Sequence, residues 1–215
     1  ADVSLNPDAS NPYDPETVDT VEFGVKSEML DGRMRLNAAA FFSDYQDMQV
    51  TVQRAIEGGG VASQVLNAAD STVQGFEIES TFAATPTLNF NGSLGYIDAE
   101  FDSVAFFNPE TQQVEDVSDL WSFQNTPKVT ANLGFTKEFA LESGSLVWST
   151  NVSYRDDTQI FEVPSPLDEE AYSLTNTSVV WYSNSSQWTV GLHAKNVFDE
   201  EYRVSGYNFG STFGE

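Results

Sequence analysis

Apolar and polar positions alternate along most of this 215-residue chain. In the run 21–26, Val21, Phe23 and Val25 occupy one face of an extended segment, and the opposite face is polar. The dipeptide Asp31-Gly32 separates this run from a second alternating run, and Asp-Gly is a strong signal for a tight hairpin turn. The first two runs therefore predict an antiparallel hairpin.

The same pattern recurs in three further pairs of runs, which predicts roughly eight strands in four hairpins. Short links are expected near residues 31, 85, 140 and 185, and long links over 51–70, 103–124 and 159–171. In the run 172–182 the alternation does not assign the two faces. The predicted apolar positions after the first run are Met34, Leu36, Ala38, Ala40, Phe76, Ile78, Phe82, Leu88, Phe90, Leu94, Tyr96, Val129, Ala131, Leu133, Phe135, Leu146, Trp148, Val152, Tyr154, Trp188, Val190 and Leu192.

Alternation alone fits two all-β architectures. A soluble sandwich packs its apolar face on a core, whereas a transmembrane barrel turns that face to lipid and its polar face to the lumen. Strands of ~10–16 residues, joined by short turns at one end and long links at the other, favour the barrel. The opposite face is rich in Asn, Ser, Thr and Gly, as a hydrated wall requires. Aromatic residues near the predicted strand ends indicate an interfacial girdle, namely Tyr45, Tyr96, Phe101, Tyr154, Tyr172, Trp188 and Tyr202.

The charge excludes nucleic acid as a partner. The chain has 33 acidic and 9 basic residues, for a net charge of −24 at pH 7, so it cannot neutralise a phosphate backbone. Acidic chains are often disordered, but an aromatic content of 13% indicates a folded one. The acidic residues are therefore expected on surfaces that face water.

No residue pattern indicates an enzyme, a cofactor or a metal centre. His193 is the only histidine and the chain has no cysteine, so a zinc site lacks ligands. The Asp and Glu clusters could bind calcium, but none has EF-hand spacing. A glycosidase carboxylate pair is not excluded, although acidic residues are too frequent here for pairing to be informative.

Three residues are candidates for contact with a small-molecule ligand. Arg54, Trp121 and Arg155 carry a cationic or aromatic group in otherwise acidic or neutral segments. They would line a substrate path formed by the polar face and the long links.

Four segments, taken in order, resemble the barrel of TonB-dependent outer-membrane receptors. Residues 15–50 contain Glu22-x-Gly24-x-Lys26, the Asp-Gly turn and an aromatic-rich return strand, and residues 71–79 resemble the family's Gly-x-Glu strand. Residues 125–135 resemble its Pro-led strand. The segment "KNVFDEEYR" resembles its Asn-Leu-Phe-Asp-x-x-Tyr block, with Val197 in place of Leu. In that block Asn196, Phe198, Asp199 and Tyr202 would mark a strand that leaves the membrane, with Phe198 and Tyr202 at the interface.

The resemblance implies energised uptake of a scarce nutrient across the outer membrane of a Gram-negative bacterium. The nutrient would most often be a ferric siderophore, and otherwise cobalamin or an oligosaccharide. Implied partners are outer-membrane lipid, the small-molecule ligand, and an inner-membrane energising complex reached through an N-terminal part that is missing here. We therefore expect residues 1–215 to form a single partial β-barrel domain, with the plug domain and the N-terminal strands absent.

Two other hypotheses stay open at this point. One is a soluble acidic β-sandwich that acts as an extracellular binding module. The other is a small barrel that closes with its own eight strands, although no pair of closing edges is evident in the sequence.

Overall fold

Nine strands form a single antiparallel sheet in the computed structural model, which describes residues 13–55, 61–108, 111 and 113–206. One turn of 3-10 helix spans Ser118–Leu120. Within the described ranges, no helix is long and apolar enough to cross a membrane. The strands are β1 (Thr17–Met29), β2 (Met34–Ala55), β3 (Val61–Thr85), β4 (Leu88–Asn108), β5 (Gln113–Asp116), β6 (Val129–Leu141), β7 (Gly144–Arg155), β8 (Tyr172–Ser183) and β9 (Thr189–Ala194).

The sheet is a simple meander. The strand order is β1-β2-β3-β4-β6-β7-β8-β9, and every neighbouring pair is antiparallel, while the short β5 pairs with the far end of β4. This confirms the predicted all-β, up-and-down topology. Within the described part of the chain, β1 pairs only with β2 and β9 only with β8, so the sheet has two edges.

The strand register joins the separately predicted apolar positions into one face. Directly paired residues lie on the same side of a sheet. Phe23 pairs with Ala40, Ala40 with Phe76, and Phe76 with Tyr96, so apolar residues meet across four successive strands. The register also assigns the faces of β8, because Trp181 pairs with Leu146.

This apolar face is exposed. Val21 is 74% exposed, Phe23 73% and Leu192 77%, and in the described residues no second sheet covers them. Among the side chains that the structure describes, the buried hydrophobic residues are few: Ala69, Val104 and Ile160. A soluble sandwich would bury its apolar face, so the structure does not favour that hypothesis. An exposed apolar belt on long strands is what lipid contact requires.

The prediction of a long link over 51–70 was wrong, because most of this segment is strand. β2 continues to Ala55 and β3 begins at Val61, and the register shifts at a bulge between Tyr45 and Met48. β2, β3 and β4 have 22, 25 and 21 residues, about twice the ~9–11 that span a bilayer. On β2 the alternation of apolar and polar residues itself continues through Met48, Val50 and Val52, so the local pattern of this part of the segment is that of a strand.

The predicted aromatic girdle is only partly correct. Tyr96 and Tyr154 lie on the apolar face, since they pair with Val129 and Ala131. Tyr45, Phe101 and Tyr172 lie on the opposite face, because their partners Ser71 and Arg155 belong to the polar side. Nearness to a strand end does not set the side to which a ring points. The parity of its position does.

Candidate functional site

The polar face of β4, β6, β7 and β8 is a wall of amides and hydroxyls. The side chains of Asn132 and Asn151 hydrogen-bond reciprocally, at 3.2 Å and 2.7 Å. Gly134 lies between Asn91 and Asn151 in the register, and a Cβ at Gly134 would lie 2.7 Å from Asn91 Oδ1. The missing side chain therefore makes room for the Asn91 amide. This arrangement suits a water-lined surface that contacts a polar ligand.

Three aromatic rings cluster where the polar wall meets the long links. Phe101 stacks on Phe123 with 4.3 Å between the ring centres, and Trp121 lies nearly perpendicular to Phe101 with 6.1 Å between the ring centres. Trp121 is one of the site residues predicted from the sequence, whereas its partners Phe101 and Phe123 are not. Counting positions along β4 from Phe90 would have placed Phe101 on the polar face. The position of Phe123 follows only from the folded link.

Arg155, the last residue of β7, hydrogen-bonds to the link between β5 and β6, which carries Trp121 and Phe123. Its Nη2 donates to the Asn125 carbonyl oxygen at 3.0 Å. The Asn125 backbone N–H donates to Gln159 O at 2.9 Å, and Ser122 N–H donates to Glu162 O at 2.8 Å. The structure thus places Trp121 and Arg155 around one link, residues 117–128. Arg54 lies on β2 opposite Ala62, and its side chain is outside the described part.

Two charged side chains, Lys128 and Asp116, make hydrogen bonds at the same end of the sheet. Lys128 Nζ contacts Asp98 Oδ1 at 2.8 Å, and this hydrogen bond, aided by the opposite charge, raises the Lys128 pKa. The Asp116 carboxylate accepts N–H groups of Val104 at 2.9 Å and Ser118 at 3.0 Å. These bonds stabilise the charged form, so they lower the pKa of Asp116.

The links after β7 and β9 line an acidic cleft of about 610 Å³ that is partly open to solvent. Tyr172 stacks on Tyr202 at 4.7 Å, and Arg203 Nη1 lies 3.7 Å from Glu169 Oε2. The lining residues include Asp168, Glu169, Glu170, Glu200 and Glu201. In the described ranges, however, no group of three or more His, Asp or Glu side chains is arranged to hold a metal ion.

The residues that carry the family resemblance lie in a turn and in paired strands. Asn196 and Asp199 have positive φ angles of 48° and 56°, so the segment after β9 turns sharply. Phe198 is 75% exposed. Glu22 and Gly24 pair with Phe41 and Ala39 on the polar face of the first hairpin.

The family is decided by comparison with known proteins. The profile described as "TonB dependent receptor-like, beta-barrel" matches residues 3–197. The chain belongs to the TonB-dependent receptor β-barrel family. The resemblance found in the sequence is therefore confirmed.

The relatives of this TonB-dependent receptor chain are much longer proteins. It is 26% identical over 207 residues to the metal-pseudopaline receptor CntO of Pseudomonas aeruginosa, covering 93% of this chain and 26% of the relative. It is 30% identical to the probable TonB-dependent siderophore receptor PiuA of Acinetobacter baumannii, covering 90% and 24%. The ferric yersiniabactin uptake receptor FyuA of Yersinia pestis shares the fold, with a TM-score of 0.73 at 21% identity over 94% of this chain and 28% of that one. The chain thus spans about a quarter of the curated relatives it matches.

Proposed function

We propose that this chain is part of the barrel wall of an outer-membrane receptor that takes up a scarce nutrient, such as a ferric siderophore, in a Gram-negative bacterium. The observation that carries the proposal is the family match over residues 3–197, together with an exposed apolar face and a polar face on one continuous sheet. The names of CntO and PiuA support a siderophore-type ligand.

The apolar face would contact outer-membrane lipid, and the polar face would line the lumen. Residues 1–215 would be one partial barrel domain, completed by further strands and a plug domain elsewhere in the receptor. Energy would come from the inner-membrane complex through a segment outside this chain. The role is binding and passage of a ligand, with no catalytic step.

Ligand contact is assigned to the end of the sheet that carries the long links. Trp121, with Phe101 and Phe123, offers apolar ring surface beside the polar wall. Arg155 holds the link that carries Trp121, and the guanidinium groups of Arg155 and Arg54 would attract the anionic groups of a ligand. An aromatic surface beside a few fixed polar groups is typical of small-molecule sites.

The test is uptake of iron-loaded siderophores by iron-starved cells that carry the intact receptor or lack its gene. Trp121→Ala should reduce uptake of the cognate ligand at limiting concentration, by about tenfold if the ring contributes roughly 1.4 kcal/mol of binding. Trp188→Ala is the matched control, because Trp188 lies at the opposite end of the sheet and is 69% exposed. If deletion changes the uptake of no ligand in a panel of siderophores, cobalamin and oligosaccharides, the proposal fails.

A further inference from the structure

Lys137 is the one basic residue on the apolar face among those whose side chains the structure describes. It pairs with Leu88 of β4 and with Trp148 of β7, and both belong to the apolar face. The chain carries 33 acidic residues, yet this cation lies among apolar side chains. A charge facing lipid is costly unless it reaches a polar partner at the membrane surface.

The contacts of Lys137 place it close to the short turns. Its Nζ donates to Thr87 Oγ1 at 2.7 Å, and Thr87 belongs to the turn between β3 and β4. The same Nζ lies 5.6 Å from the centre of the Phe139 ring. Within the described ranges no carboxylate forms an ion pair with it. An ammonium group has three donors, so two remain for an external acceptor.

Aromatic rings surround this position on the apolar face. The rings of Phe90 and Phe135 lie 6.4 Å apart, and Trp148 meets Phe135 edge-on at 4.8 Å. Phe90 and Trp148 lie near the short turns that begin β4 and β7, and Phe135 lies at the middle of β6, in register with Phe90. Aromatic rings at this level form the belt that meets the headgroups of a bilayer.

We propose that Lys137 and Thr87 bind the headgroup phosphate of a glycerophospholipid in the leaflet on the side of the short turns. The acyl chains would lie on Leu88, Phe90 and Trp148. This inference rests on the membrane placement proposed above. Charge complementarity supports it, since the acidic residues in register with the apolar face, Asp19, Asp44, Asp98 and Glu100, all lie towards the other end.

The test uses the intact receptor, purified in detergent and stripped of lipid. Native mass spectrometry measures the binding of phosphatidylglycerol and of a diacylglycerol with the same acyl chains, which lacks the phosphate. Lys137→Gln should weaken phosphatidylglycerol binding at one site by about fivefold, the effect of one Lys at a membrane surface. Lys137→Arg should retain it. Lys26→Gln is the matched control, because Lys26 also lies near a short turn but on the polar face.

Three results would overturn the inference. The first is equal phosphatidylglycerol binding by the wild type and Lys137→Gln, with both shown to be folded by heat-modifiable gel mobility. The second is diacylglycerol binding as tight as that of phosphatidylglycerol. The third is displacement of the lipid by inorganic phosphate at matched concentration, which would show a site for the free ion. A receptor that stays monodisperse without detergent would instead contradict the membrane placement itself.

Discussion

The side-chain amide of Asn196 makes two hydrogen bonds with the backbone of Glu200. Nδ2 donates to Glu200 O at 2.9 Å, and Oδ1 accepts from Glu200 N–H at 3.0 Å. The backbone N–H of Asn196 also donates to Asn176 Oδ1 on β8 at 3.0 Å. The block "NVFDEEYR" is therefore a turn, closed by its first residue and fixed to the neighbouring strand.

Replacement of Asn196 should loosen this turn. Asn196→Ala removes both side-chain bonds and places a residue without αL preference at φ 48°, which should cost about 2 kcal/mol. Asn196→Gly keeps the positive φ accessible and loses only the bonds, so it should cost about half as much. Thermal unfolding of the receptor in detergent measures both. Equal stability of all three proteins would contradict the role assigned to Asn196.

Gly75 should tolerate no side chain, whereas Gly24 should accept one. A Cβ at Gly75 would collide with the Tyr96 carbonyl oxygen and lie 2.9 Å from Phe41 Cζ. At Gly24 the nearest atom would be 3.6 Å away, an ordinary contact. We expect Gly75→Ala to destabilise the barrel by about 3 kcal/mol and Gly24→Ala by less than about 1. The fraction that folds into detergent micelles reports the difference. A similar loss in both variants would show that the close approach at Gly75 is not decisive.

A charge on the apolar face should be costly only if that face meets lipid. Leu133 is 64% exposed on β6, so a soluble protein would accept Leu133→Arg with little change. In a membrane the substitution should cost about 2–4 kcal/mol. Thr136→Arg, on the opposite face of the same strand and paired with the uncharged Asn89 and Ser149, should be tolerated. Outer-membrane assembly and unfolding in micelles distinguish the two outcomes. Unchanged stability of Leu133→Arg would contradict the lipid-facing assignment.

The β4–β5 pairing should loosen in acid. Because folding lowers the pKa of Asp116, its contribution is present above the unfolded value of about 3.9 and is lost as pH falls through the lower folded value. Cleavage of residues 105–121 by pepsin should therefore rise below about pH 4. Asp116→Asn is the control, because it removes this titration and leaves that of Glu115 in the same strand. Hydrogen bonds from Asn108 and Thr111 also lower the pKa of Glu115, so in the variant susceptibility should rise less steeply as pH falls. The same pH profile in both proteins would contradict the role of the Asp116 carboxylate.

The sequence by itself determined which residues share a face in the alternating runs, but not in the run 172–182, where the register with β7 assigned the faces. Parity along a strand is a local property, since successive side chains point to opposite sides. The positions of Phe23, Leu94 and Leu133 could therefore be assigned without knowing any partner strand. The tight turn at Asp31-Gly32 was equally local. The motifs also identified the family, because they mark particular turns and strand ends.

Only the tertiary structure decided what depends on pairing between distant segments. The full length of β3 and β4 follows from backbone hydrogen bonds to their neighbouring strands, which do not depend on side-chain hydropathy. The cluster of Phe101, Trp121 and Phe123 forms because a long link folds back onto β4. The position of that link depends on both the strand register and the turns within the link. The contact of Lys137 with Thr87 joins residues 50 positions apart. Such contacts depend on the strand order, which alternation within one strand does not encode.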